Sequence, residues 1–196
     1  MQKIVVFGGT GYIGSSLCEA LLKSGYEVIS ISQSGKNKYL SDTAGKHICF
    51  IRANVLSDTH WQENLNGCIA VVNSIGILFQ NKKTGKTYKR LITDVSEKIA
   101  QVAVDKSVPK FIHISAIKPP FLMLQSYHHH KQLAEEYLSK QSFSLQIIRP
   151  HIVVSPQKPL LLLLYKMQEL LHFSFKYFES IDSINQQVLR FLKKTP

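Results

Sequence analysis

Tyr127 and Lys131 stand four residues apart in Tyr127-His128-His129-His130-Lys131, and residues four apart on a helix share one face. That spacing sets an ammonium beside a phenol, or beside a ribose held near it. A phenol titrates near pH 10 and is a poor base at neutrality, and a neighbouring cation is one of the few ways to lower it. Ser115 follows the strand-like run Lys110-Phe111-Ile112-His113-Ile114 and could orient a carbonyl or hydroxyl for the same proton transfer. A second constellation lies at the start of the chain, where Gly8-Gly9-Thr10-Gly11-Tyr12-Ile13-Gly14 follows the apolar run Ile4-Val5-Val6-Phe7. Leu17, Ala20, Leu21 and Leu22 supply a helical apolar face afterwards, so the glycines fall between a strand and a helix, the context that a dinucleotide-binding turn requires. Gly8 permits the tight turn, Gly11 lets backbone approach a pyrophosphate, and Gly14 lets helix and strand pack closely, with the helix N-terminus facing the phosphates.

Elements to position these groups can be read along the chain. Strands are expected near residues 3–7, 27–31, 47–51, 69–73, 110–115 and 145–149, and helices near 12–24, 94–106 and 127–140. Apolar strands alternating with helical segments predict an α/β doubly wound parallel sheet. Asp94-Val95-Ser96-Glu97 reads as a capping box opening the middle helix, with Pro109 marking its exit. With 196 residues, 44% of them hydrophobic, one core is expected, and no repeat or linker suggests a second domain.

The two constellations in this order resemble a short-chain dehydrogenase/reductase of the extended or atypical branch, over residues 1 to about 155. Asn73-Ser74-Ile75-Gly76 stands where that family has an Asn-rich turn after its fourth strand, and Ile147-Ile148-Arg149-Pro150 resembles the strand and Arg-Pro after the catalytic helix. Residues 28–36 and His113-Ile114-Ser115-Ala116 are most similar to two groups: a fungal protein associated with ubiquinone biosynthesis, and the nucleotide-binding accessory subunit of respiratory complex I. The resemblance implies a Rossmann fold over residues 1–196, with 151–196 as a reduced substrate-binding region. It implies Ser115, Tyr127 and Lys131 as catalytic residues, and places Asn54, Val55, Asn73, Ser74, Gly76 and Lys131 against the cofactor together with the glycine turn. The activity implied is an NAD(P)(H)-dependent oxidoreductase acting on a carbonyl or hydroxyl of a small or lipid-like substrate. The alternative is a non-catalytic dinucleotide-binding protein of a ubiquinone-pathway or respiratory assembly.

The chain also departs from the family pattern. The interval from Ser115 to Tyr127 is short and carries the apolar Pro119-Pro120-Phe121-Leu122-Met123-Leu124, and Asn54-Val55 replaces the usual Asp-Val, although Asn can still hydrogen-bond an adenine amine. NAD-specific sites place a carboxylate after the second strand, and this chain has Ser32, Gln33, Ser34 and Lys36 there. With no carboxylate to repel a 2′-phosphate, NADP(H) is favoured over NAD(H).

A formal net charge of +11 implies an anionic partner. Lys82, Lys83, Lys86, Lys89 and Arg90 concentrate charge in the loop after the fourth strand. Gly85-Lys86-Thr87 lacks the glycine five residues earlier that a triphosphate-binding loop needs. Three consecutive histidines point about 100° apart on a helix, so His128, His129 and His130 cannot converge on one metal ion, and no metal site is expected. Cys18, Cys49 and Cys68 lack paired spacing and read as reduced core residues of an intracellular protein, cytoplasmic or organellar, and on the matrix side of mitochondria if the resemblance holds. No signal peptide is read before the first strand. Leu160 to Leu164, continued by apolar residues to Phe178, are too short a run to span a bilayer; a buried or interfacial helix is expected there. An anionic membrane surface or a lipid-pathway protein, rather than nucleic acid, is the expected partner, and a homo-oligomer is compatible with the sequence.

Overall fold

The computed structural model describes residues 1–35, 39, 42–118, 124–154 and 178–194. Six parallel strands form its sheet: β1 (Lys3–Phe7), β2 (Glu27–Ser32), β3 (Cys49–Arg52), β4 (Ala70–Asn73), β5 (Lys110–Ile114) and β6 (Ser144–Ile148), in the order β3-β2-β1-β4-β5-β6. The order reverses beside β1, so the connections leaving β1 and β4 diverge to opposite faces and open a crevice at the carboxyl edge, where open α/β sheets bind ligands. This is the doubly wound Rossmann-like arrangement that the alternation of strands and helices predicted.

Parallel strands covered on both faces read as continuous apolar runs, and β1 shows why. Val5 and Phe7 enter one core with Ile99, Ala103 and Phe111, beneath α3 (Val95–Asp105) and α4 (Gln125–Leu138). Ile4 and Val6 enter the other, beneath α1 (Tyr12–Lys23) and α5 (Ile181–Lys193). A single turn, α2 (Asp42–Gly45), lies between β2 and β3, and a two-stranded parallel pair, β7 (Ile152–Val154) with β8 (Phe178–Ser180), precedes α5.

Two expectations are corrected. Asp94 is itself helical (φ −60°, ψ −38°) and caps nothing; a wide π-type turn, Lys89–Asp94, carries the helix upstream, and Asp94 pairs with Lys89 at 2.8 Å. Ile184, Val188, Phe191 and Leu192 of α5 pack beside Leu17 and Leu21 of α1, and Asn185 donates to Ser16 at 2.9 Å. Lys110 Nζ donates to the Leu192 carbonyl at 2.9 Å, satisfying an oxygen that the end of α5 leaves open. Second, Cys49 is exposed rather than a core residue, whereas Cys18 and Cys68 are buried. The leucine run 160–164 and its continuation to residue 177 lie outside the described residues, as do 119–123. No helix among the described residues is long and apolar enough to cross a membrane.

Candidate functional site

Each glycine of the β1–α1 turn meets a different steric demand. Gly8 adopts φ +78°, which favours glycine, and its N–H donates to the Ile31 carbonyl at 2.8 Å. A Cβ on Gly14 would stand 2.2 Å from the Gly8 carbonyl oxygen, and one on Gly9 2.4 Å from Ser30 Oγ and 2.8 Å from Cys18 Sγ. The Gly9 constraint was not visible in the sequence, because it depends on β2 lying alongside. Gly11 is different: a Cβ there would meet only the Gly8 oxygen, at 3.2 Å, so its space opens outward. Gly11 is also the N-cap of α1; no side chain caps that end and no acidic residue stands in the first turn. An open turn and an uncapped helix N-terminus beside it are what an anionic pyrophosphate fits.

Thr10 and Ser34 join their hydroxyls at 3.0 Å, tying the glycine turn to the loop after β2. Ser32 Oγ accepts from Gly35 N at 3.2 Å, and Gln33 and Ser34 are exposed; Lys36 lies outside the described residues. Tyr12 packs edge-to-face on Tyr39, and Ile13 packs against the α1–α5 core. The structure adds a residue that the sequence reading missed. Arg52 pairs in register with Ser32 and is exposed, and a Cβ on Gly35 would be 2.9 Å from its Cβ, so Arg52 stands beside the loop after β2. Only strand register brings positions 32 and 52 together. Asn54 makes a tight turn, accepting from Leu56 N at 3.2 Å while its own N–H reaches Asp58 at 2.8 Å. Val55 is buried in the core that holds Trp61 and Leu65.

At the other end of the crevice, β4 and β5 bring the remaining residues together. Ser74 donates from Oγ to the Phe7 carbonyl at 2.8 Å, fastening the turn after β4 to β1. Asn73 is fully buried, its amide donates to Ser96 Oγ at 3.0 Å, and its Oδ1 accepts from Ile75 N at 3.1 Å. Lys131 lies on the buried face of α4 and donates to the Ile114 carbonyl at 2.7 Å, and a Cβ on Gly76 would be 3.6 Å from its Nζ. Its ammonium is 6.0 Å from the centre of the Tyr127 ring, so the helical spacing does bring the pair together.

Their electrostatics are not as the spacing suggested. Burial lowers Lys131 to about 8, with Glu135 opposing. Tyr127 is raised to about 12, by burial first and then by neighbouring Tyr88, whose ring packs edge-on at 5.6 Å. The phenol therefore keeps its proton at neutral pH. Ser115 is buried after β5, its N–H donating to the Ile148 carbonyl at 2.7 Å; its Oγ has no hydrogen-bond partner among the described residues. His113 Nε2 and His128 Nε2 are likewise buried and unpartnered there. Burial first, then Lys131 and Arg149, hold His113 well below the ordinary histidine range, so it is neutral. Unsatisfied buried polar atoms are uncommon and point to a missing partner. The three histidines diverge as expected: His128 is buried, His129 exposed, and His130 pairs through Nδ1 with Thr93 Oγ1 at 2.9 Å. No cluster of metal-ligating groups occurs among the described residues.

A family model described as NAD dependent epimerase/dehydratase family matches residues 4–159. An uncharacterized chloroplastic protein of Arabidopsis thaliana is 33% identical over 161 residues, covering 80% of this chain and 52% of that protein. MIOREX complex component 2 of Saccharomyces cerevisiae is 33% identical over 94 residues, 46% of this chain and 34% of that one. Among solved structures, a UDP-glucuronic acid 4-epimerase from Bacillus cereus, determined with UDP-glucuronic acid and NAD, superposes with a TM-score of 0.73 at 22% identity, covering all of this chain and 74% of its own. That likeness is one of fold. The chain spans about half the length of the first of these relatives and a third of the second.

Proposed function

The chain belongs to the NAD-dependent epimerase/dehydratase family, and from that premise we propose that it binds a nicotinamide dinucleotide along the carboxyl edge of β1, β2 and β4 and acts as an oxidoreductase on a carbonyl or hydroxyl group. The observation that carries the proposal is the open space at Gly11 over an uncapped helix N-terminus, at the point where strand order reverses.

The residues present fit the group. Gly8, Gly9, Thr10, Gly11, Tyr12, Ile13 and Gly14 would cradle the pyrophosphate, and Asn54 would meet the adenine. Arg52, with Ser32 and Ser34, would take the adenosine ribose. A guanidinium there, with no carboxylate after β2, favours NADP(H) over NAD(H). When bound, the nicotinamide supplies hydride chemistry. The protein's own groups handle the proton and the positioning. Lys131, beside Gly76 and the Ile114 carbonyl, holds the nicotinamide ribose; Ser115 Oγ, buried and unpartnered, orients the substrate oxygen; and Tyr127, held protonated, gives its proton to that oxygen. A phenol raised to about 12 suits donation, the direction of carbonyl reduction.

Tyr127→Phe removes the proton alone. It should lower turnover roughly 10² to 10⁴-fold while leaving dinucleotide affinity largely intact, and Arg52→Ala should narrow the NADPH preference about tenfold. Unchanged turnover in Tyr127→Phe would remove Tyr127 as the proton donor, whereas dinucleotide binding by the wild type without turnover of any carbonyl or hydroxyl substrate favours the second reading: a non-catalytic dinucleotide-binding protein of a ubiquinone-pathway or respiratory assembly. That reading is supported by the likeness to a MIOREX complex component.

A further inference from the structure

Of the large apolar side chains exposed among the described residues, four gather at one edge. The exposed set is Met1, Tyr39, Leu78 (51% exposed), Phe79 (75%), Ile117 (41%) and Ile152 (52%). Leu78 and Phe79 follow β4, Ile117 follows β5 and Ile152 follows β6. Those three strands are neighbours in the sheet, and parallel strands lie about 4.8 Å apart, so the connections leaving them share one edge of the molecule.

The same edge is cationic. Residues 74–93 hold Lys82, Lys83, Lys86, Lys89 and Arg90 and no acidic residue. Lys89 pairs with Asp94; among the described residues Lys82, Lys83, Lys86 and Arg90 have no salt bridge, and exposed Lys118 follows Ile117.

The loop carrying most of this is built rather than loose. Asn81 and Lys86 exchange backbone hydrogen bonds at 2.8 and 3.0 Å around a turn closed by Gly85 at φ +70°. Tyr88 locks its base, donating from its hydroxyl to the Leu78 carbonyl at 2.7 Å and from its N–H to Gln80 Oε1 at 3.0 Å. Ile77 packs on Tyr88 and Ile92. Leu78 and Phe79 are therefore exposed on a fixed base, in the same loop as Lys82, Lys83 and Lys86.

We infer that this edge docks on an anionic lipid bilayer, with Leu78 and Phe79 entering the interface and Lys82, Lys83 and Lys86 meeting the headgroups. Exposed apolar side chains in one loop with unpaired lysines match the two layers of such a surface, apolar below and negative above. A nucleic acid would satisfy the charge but offers no apolar layer for a leucine beside the phenylalanine. The inference goes beyond the dinucleotide reading and does not rest on it. Docking would turn the carboxyl-edge crevice toward the lipid.

Co-sedimentation of the full chain with vesicles containing 30% phosphatidylserine, against pure phosphatidylcholine vesicles, tests this. Binding to the anionic vesicles alone is expected. Each lysine near such a surface contributes about fivefold in affinity, so Lys82→Glu/Lys83→Glu/Lys86→Glu should lose at least a hundredfold. Phe79→Ser should lose roughly tenfold and leave binding that moderate salt abolishes, whereas the wild type keeps part of its binding in salt. Thermal melting of both variants should match the wild type, since the changed residues are exposed. Wild-type protein remaining in the supernatant at low salt overturns the inference. So does binding by the triple variant equal to wild type, or release of vesicle-bound protein by excess single-stranded RNA with no effect of Phe79→Ser, which would assign the edge to nucleic acid.

Discussion

Lys131 holds a cation where the fold barely supports one. Its ammonium is buried among the Ile114 carbonyl, Gly76 and the Tyr127 ring, and it titrates near 8 against an ordinary 10.5. The unfolded chain keeps that proton to about pH 10.5, so between 8 and 10.5 the unfolded state binds more protons and stability rises with pH. Below 8 both states are charged and the penalty of the buried cation is constant. Wild-type protein should therefore gain up to roughly 3 kcal/mol across that window relative to Lys131→Met, measured by denaturant melts from pH 7.5 to 10.5. Parallel pH profiles for the two proteins would show that Lys131 is hydrated and ordinary. The neighbouring phenol was the harder residue to read. Four-residue spacing does bring Tyr127 near Lys131, but the spacing said nothing of Tyr88, which arrives from the loop after β4 and helps to hold the proton on.

At the level of elements, the strands were legible because parallel strands buried on both faces leave unbroken apolar runs, and β1 and β5 begin and end within a residue of where those runs do. The bounds of α3 match the expected 94–106 within a residue, but no capping box forms, because Asp-Val-Ser-Glu has that composition whether or not the chain upstream is already helical. Helix α5 is not among the expected elements, although Ile181, Ile184, Val188 and Leu192 follow helical spacing and Ser180 caps it, its Oγ accepting from Ser183 N at 3.2 Å. Arg52 and the Gly9 contact had no local signal, since each arises from strand pairing across the sheet. The importance of α5 to the fold can be measured directly. Ile184 is fully buried beside Leu17 and Leu21, so Ile184→Ala should cost about 3 kcal/mol, a fall in Tm of roughly 6 to 12 °C for a domain of this size. A change under 2 °C would mean that α5 is not part of the folding unit.

Across the whole molecule, the carboxyl edge of the sheet gathers nearly everything with functional character: the glycine turn, Arg52, Lys131, Tyr127, Ser115, and the apolar and basic loops after β4 and β5. The rest of the sheet and its two helical layers are core. The account stands or falls on whether that edge binds a dinucleotide, and Gly11 provides the control. Its backbone (φ −80°, ψ 173°) is open to any residue and its Cβ direction is nearly clear, so Gly11→Val should fold but fill the pyrophosphate space. Thermal melting of cofactor-free protein with NADPH and NADH is the measurement. At about 100 times the dissociation constant, NADPH should stabilise the wild type by about 2.7 kcal/mol, a rise in Tm of roughly 5 to 11 °C, with less from NADH and none in Gly11→Val at the same concentration. No shift of the wild type with either dinucleotide, or an equal shift in Gly11→Val, would contradict the account.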